Sequence, residues 1–149
     1  MSDIRTTFID PIKGADYTLD ALGLIEDNGL DTAVILSLFT DRRAEVDNML
    51  PGDSTDRRGW WADAYATIPG DKFGSRLWLL SREKQLSAAL TRAKEYAEES
   101  LQWLIDDSVV KSVHATATVV RTGVLGLVVE IQHGNETASR YRFEKFWSN

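Results

Sequence analysis

The residue types that could do chemistry here are few, and their spacing narrows them further. Cysteine is absent, which excludes disulfides and thiolate metal sites. The two histidines are His114 and His133. One falls in an alternating stretch and the other in a turn signal. With no His-Glu-x-x-His and no histidine pair at helical spacing, a metal site is not expected. No Walker-type phosphate loop occurs, and Gly123-Val124-Leu125-Gly126 lies in a hairpin signal with nothing to cradle. No serine stands in a nucleophile-elbow setting. Carboxylates are the enzymatic option that is left. A glycosidase flanks the scissile bond with two acids, one of raised pKa. Asp63 beside Trp60-Trp61, with Glu83 or Asp71, is the set the sequence offers. Twenty-three acids in 149 residues make chance neighbours common. The stronger reading assigns no catalytic residue, no cofactor and no metal.

The densest unusual chemistry runs from residue 41 to residue 82. Arg42, Arg43, Arg57, Arg58, Arg76 and Arg82 are interleaved there with Trp60, Trp61, Tyr65, Phe73 and Trp78. Guanidinium groups stack on aromatic faces and fork onto carboxylates. Trp, Tyr and Arg also dominate interface hot spots. Two readings stay open. In one, Asp41, Asp56, Asp63 and Asp71 pair with these arginines within the chain and hold a loop in shape. In the other, Arg42, Arg43, Arg57, Arg58, Trp60, Trp61, Arg76 and Arg82 face a partner protein through buried aromatic contact and charge-assisted hydrogen bonds. A single-stranded nucleic acid would suit arginine among aromatics, but four nearby aspartates and a net charge of −6 oppose it.

These residues need elements to position them. Leu86, Leu90, Ala93, Ala97, Leu101 and Leu104 recur at three- and four-residue steps. This predicts an amphipathic helix over Arg82–Asp107, with Ser81 able to cap its start and the leucine stripe facing a core. Residues 109–146 alternate with period two. Val113, Ala115, Ala117 and Val119 share one face, Leu125, Leu127, Val129 and Ile131 the next, and Tyr141 and Phe143 a third. Turn signals at Thr122-Gly123 and His133-Gly134-Asn135 separate them, which predicts an antiparallel three-stranded meander covered by the helix. Residues 41–74 are the least periodic part, a long loop. Residues 1–30 read as irregular, with turn signals at Asp10-Pro11, Lys13-Gly14 and Asn28-Gly29 and short extended pieces at Ile4–Ile9 and Tyr17–Ile25. The apolar run within Asp31–Thr40 is ambiguous. Asn28-Gly29 before it favours a hairpin strand, while Asp31 favours a helix N-cap. The fold class is α+β, a small antiparallel sheet with helices on one side.

One domain is expected over 1–149. At this length folding buries roughly 70% of the surface exposed by the unfolded chain, so a core forms without staples. No basic-then-apolar leader and no apolar stretch of membrane-spanning length is seen, so a soluble chain made in a cytoplasm is expected. Five tryptophans suit a core and protein interfaces.

Three runs carry a resemblance. They are Leu38-Phe39-Thr40-Asp41-Arg42-Arg43-Ala44, Asp56-Arg57-Arg58-Gly59-Trp60-Trp61-Ala62-Asp63-Ala64-Tyr65 and Gly74-Ser75-Arg76-Leu77-Trp78-Leu79-Leu80-Ser81-Arg82-Glu83-Lys84. With Tyr96 and Leu101-Gln102-Trp103-Leu104-Ile105, they resemble the Mu-like prophage baseplate protein family from about residue 17 to 132. The resemblance implies a non-enzymatic component of a contractile tail baseplate, present in multiple copies in the virion after assembly in the host cytoplasm. Its partners would be other baseplate proteins, with the tail tube and sheath as further candidates, and neither nucleic acid nor membrane. The chain also looks distantly similar to the T-even wedge protein with a lysozyme-like fold. Thr40 with Asp41-Arg42-Arg43, and Phe73-Gly74, would match that family's helix-end and Phe-Gly segments. That similarity favours a helix for Asp31–Thr40. The Glu-Pro-Arg that the wider family carries between helix and sheet is replaced here by Asp106-Asp107-Ser108-Val109-Val110, so its contacts do not transfer. A tail-associated peptidoglycan hydrolase is the alternative function.

Overall fold

The computed structural model describes residues 3–10, 12–24, 26–27, 29–82, 86–134 and 137–146. The expected features at Pro11, Ile25, Asn28, Glu83, Lys84 and Asn135 therefore lie outside the described residues. The chain starts with short strands: β1 (Asp3–Ile4), β2 (Thr6–Asp10), β3 (Gly14–Tyr17), β4 (Leu19–Asp20), β5 (Gly23–Leu24) and β6 (Glu26–Asp27). They pair antiparallel as β1 with β6, β2 with β3, and β4 with β5. The segment read as irregular is thus nested hairpins. Its pairing was hidden because strands of two to five residues are too short to show a period. In the β2–β3 turn, Asp10 Oδ1 accepts the N–H groups of Ile12 and Lys13 at 2.8 and 2.7 Å. The Lys13 N–H, more than any other contact, holds that carboxyl below its ordinary pKa.

The ambiguous run is helix α1, Asp31–Phe39. Leu30 is its N-cap and makes no side-chain cap. Asp31 sits in the first turn instead, where it suits the helix dipole and pairs with Arg5 at 3.2 Å. Thr32, buried, ties α1 to the first strands. Its hydroxyl donates to Ile4 O and accepts from Thr6 N–H, both at 3.0 Å.

The long helix is described over most of the range expected for it, and Arg82, at the expected start, belongs to a different element. Leu77–Arg82 forms a 3-10 helix, and α2 runs Leu86–Asp106. Ser81 thus lies inside the 3-10 segment and is not the residue before α2. Ala89, Ala93, Ala97, Leu101 and Leu104 are its buried face, while Leu86 stays 44% exposed. The helix ends in a Schellman arrangement, with Val109 N–H on Leu104 O and Ser108 N–H on Ile105 O, both at 2.9 Å. Ser108 takes the left-handed conformation there, φ 58°.

Strands β7 (Ser112–Arg121), β8 (Val124–Gln132) and β9 (Ser139–Phe146) form the expected meander in the order β7-β8-β9. The register sets Val113 opposite Ile131, Ala115 opposite Val129, and Phe143 opposite Leu127. These residues form one buried face, which packs with α2 and with Val34, Ile35 and Leu38 of α1 in a single core. The predicted stripe on β7 frays towards its end, since Val119 is 39% exposed. Helix α2 also serves the free edge of β7. Ala115 N–H, pointing away from β8, donates to Glu98 Oε1 at 3.0 Å, which blunts an edge open to pairing. Phe8 of β2 joins Phe39 and Phe143 in an aromatic trio at 5.2–5.5 Å, so the hairpin region is pinned to the main core. The fold class is α+β.

Candidate functional site

The arginine- and aromatic-rich segment is a loop braced from beneath. Its two ends meet as a parallel bridge between Asp41 and Ser75. Ser75 N–H donates to Thr40 O and Arg42 N–H to Ser75 O, each at 2.9 Å. The buried Ser75 hydroxyl donates to Leu38 O. Gly74 makes this approach possible. Its φ is +95°, and a Cβ there would lie 2.4 Å from Thr40 O, so no other residue fits unstrained. The Thr40–Arg43 and Phe73–Gly74 segments, far apart in sequence, therefore meet in space.

Above that bridge the two Asp-Arg-Arg runs pair with each other. Ala44 N–H donates to Arg57 O at 2.9 Å, and the Arg43 guanidinium to Arg58 O at 3.2 Å. Arg58 pairs with Asp41 at 2.8 Å and lies 4.5 Å over the Trp78 ring. The buried indole of Trp78 donates to Arg42 O at 2.9 Å. Arg57 turns inward and caps two carbonyls, those of Glu45 and Val46. Arg76 forks onto Glu99 of α2 at 2.9 and 3.1 Å and stacks 4.6 Å over Tyr96. Arg42 lies 3.9 Å from the same Glu99. Lys72 pairs with Glu45 at 2.8 Å, and that hydrogen bond, ahead of any other cause, lowers the Glu45 pKa.

The eight candidate residues thus separate. Arg42, Arg57 and Arg76 are spent on the chain itself. Arg58 is half engaged, and Arg43 is exposed with one hydrogen bond. The backbone of Arg82 closes the 3-10 helix, and its side chain lies outside the described residues. Trp60 and Trp61 are the outward members, 41% and 75% exposed. They stand 6.0 Å apart, with Phe73 and Tyr65 beside them. Of the four aspartates expected to hold the arginines, only Asp41 pairs with an arginine side chain among the described residues. Asp56 Oδ1 accepts Arg58 N–H and Asp63 Oδ1 accepts Phe73 N–H, while Asp71 is exposed. The principal arginine partner, Glu99, was not singled out in sequence. It sits 23 residues from Arg76 on a helix face that reads as solvated, and no local signal points to it.

Trp60 and Phe73, with Tyr65, also wall a cleft of about 830 Å³ against the C-terminal half of α2, from Glu99 to Asp106, and Asp107 just beyond it. Arg42 Nε and Asp63 Oδ2, in its lining, are buried without hydrogen-bond partners among the described residues. Among the described residues no cluster of His, Cys, Asp or Glu is arranged to hold a metal, and no helix is long and apolar enough to cross a membrane.

A family model described as Phage protein GP46 matches residues 30–138. The chain belongs to that family. The matched stretch takes in α1, the braced loop, α2 and most of the meander. The GP46 relatives include the baseplate protein gp46 of Escherichia phage Mu, 42% identical over 129 residues that cover 87% of each chain. They also include the Mu-like prophage FluMu protein gp46 of Haemophilus influenzae, 38% identical over 148 residues and 99% of each chain. GP46 is therefore a Mu-like baseplate family, as the three runs implied.

Proposed function

We propose that this GP46 protein is a structural subunit of a contractile tail baseplate, which docks laterally to other baseplate proteins and helps start sheath assembly without catalysing a reaction. The observation that carries the reading is the outward aromatic set of Trp60, Trp61 and Tyr65, the last two 75% and 79% exposed. It rides on a loop whose inner side is fixed by Ser75, Arg57 and Arg76. Exposed indoles on a rigid base give contact area at little ordering cost when a partner covers them. Arg43 and Arg58 beside them supply forked donors for carboxylates of the partner, and Arg82 remains a candidate on sequence grounds. The site of action is the virion tail, reached after assembly in the host cytoplasm.

The test is complementation of a phage lacking the subunit. Trp60→Ala/Trp61→Ala should leave the purified protein folded and reduce assembled tails by at least about tenfold, a loss that 1.4 kcal/mol at an interface produces. Normal tail numbers with the double variant would overturn the docking role. The catalytic alternative centres on Asp63, whose Oδ1 is taken by the Phe73 N–H. A zymogram in which clearing appears with this protein and disappears on Asp63→Asn would overturn the non-enzymatic reading.

A further inference from the structure

We propose that the cleft between the 60–74 loop and the C-terminal half of α2 receives a basic segment of a neighbouring baseplate protein, an arginine- or lysine-bearing loop or strand. The inference rests on the docking role above and names the chemistry of one partner. Aromatic walls come from Trp60, Tyr65, Phe73 and Trp103, and the Trp103 indole is fixed by donation to Ser37 Oγ at 3.1 Å. The charges in the lining are mostly satisfied within the chain. Glu99 is taken by Arg76 and Arg42, and Lys72 by Glu45, while Asp63 accepts a backbone N–H through Oδ1 alone. The charges left over are all negative. Asp71, Asp106 and Asp107 are exposed on the rim and pair with no cation among the described residues.

The position of two of these acids is informative. Asp106 is the last residue of α2 and Asp107 follows it, and the last turn holds no basic residue. The C-terminus of a helix carries a partial negative charge, so cations are the stabilising choice there. Placing two aspartates at that end raises the negative potential beside the aromatic walls at the helix's own expense. A guanidinium or ammonium entering the cleft meets indole and phenol faces, which attract cations, and a rim whose charge complements its own. An acidic segment would meet repulsion from the same rim. At the cleft, Arg42 and Arg76 thus serve as scaffolding through Glu99, and the recognition charge of this face is negative.

The test uses two labelled probes, an alternating Gly-Arg octapeptide and an alternating Gly-Glu octapeptide, titrated against the purified full chain by fluorescence anisotropy. The Gly-Arg probe should bind and the Gly-Glu probe should not. Binding should weaken by about tenfold in Asp106→Asn/Asp107→Asn, and also as salt rises from about 50 to 300 mM. The double variant should melt no lower than the wild type, because it removes charges that the helix end disfavours. Equal binding of the two probes, or unchanged binding by the double variant, overturns the proposal. Co-purification with the neighbouring baseplate proteins separates this proposal from the broader role. If Trp61→Ala, which lies outside the cleft lining, loses the neighbours while Asp106→Asn/Asp107→Asn keeps them, docking stands and the basic-segment proposal falls.

Discussion

The inner and outer sides of one loop use the same residue types in opposite ways. On the inner side, Arg57, Arg76 and Trp78 are half-buried or buried, and their donors end on carbonyls of the loop itself or on Glu99. On the outer side, Trp60, Trp61 and Arg43 face solvent. Composition does not distinguish the two, because a guanidinium is equally suited to a partner's carboxylate and to one on its own helix. The difference lies in what the fold brings within reach. Arg76 meets Glu99 because the Asp41–Ser75 bridge and the 3-10 helix behind it set Arg76 against α2. Trp61 has no such element above it. Inner residues should therefore govern stability, and outer residues association.

The sharpest way to break that division is Gly74→Ala. With φ at +95° and a Cβ forced to within 2.4 Å of Thr40 O, the bridge has to open. A loss of about 3 kcal/mol or more is expected, read as a lower midpoint in urea unfolding. A midpoint within experimental error of the wild type would show that the bridge is not the loop's anchor. Next comes Arg76→Ala, which strands a partly buried Glu99 carboxylate. About 2 kcal/mol is expected for the lost charge-assisted hydrogen bonds, discounted for partial exposure of both groups. Only part of that loss should return when Glu99→Gln is added, since Arg42, 3.9 Å from the same carboxylate, then loses its own anion.

Trp61→Ala should change stability by under about 0.5 kcal/mol, as for exposed positions generally, while abolishing capture of baseplate neighbours. A large drop in melting temperature would move Trp61 to the inner class. The smallest effect concerns pH. The folded pKa of Glu45 is depressed by its hydrogen bond from Lys72. Its stabilising contribution is therefore full above the unfolded glutamate pKa and is lost as pH falls through the lower, folded value. Lys72→Met should flatten the acid limb of the unfolding curve slightly. An identical acid limb in wild type and variant would mean that the pair contributes nothing.

How much was legible beforehand follows the same logic of reach. The meander and the buried face of α2 were visible because their periods of two and of three to four persist over eight residues or more. Helix α1 was not decidable from its own residues. Its apolar run fits a buried strand equally well, and the resemblance, not the pattern, favoured the helix. The register of the N-terminal hairpins is not legible in the sequence, because strands of two to five residues carry too little period. At the site, the loop and its unusual residues stood out, as did the bearing of Trp60 and Trp61 on partners as an open possibility. The sorting of the arginines was invisible. It depends on contacts such as Arg76 to Glu99 and Ser75 to Leu38, whose partners are 23 and 37 positions apart, which only the assembled core defines.

Hydroxyl-radical footprinting of purified tails against the free subunit tests the central claim most directly, because it reads cover over the loop's outer side residue by residue. The account predicts that Trp60, Trp61 and Tyr65 oxidise readily in the free protein and are shielded in the assembled baseplate, while buried Trp78 is protected in both. Equal oxidation of Trp61 and Tyr65 in the free and assembled states would contradict it.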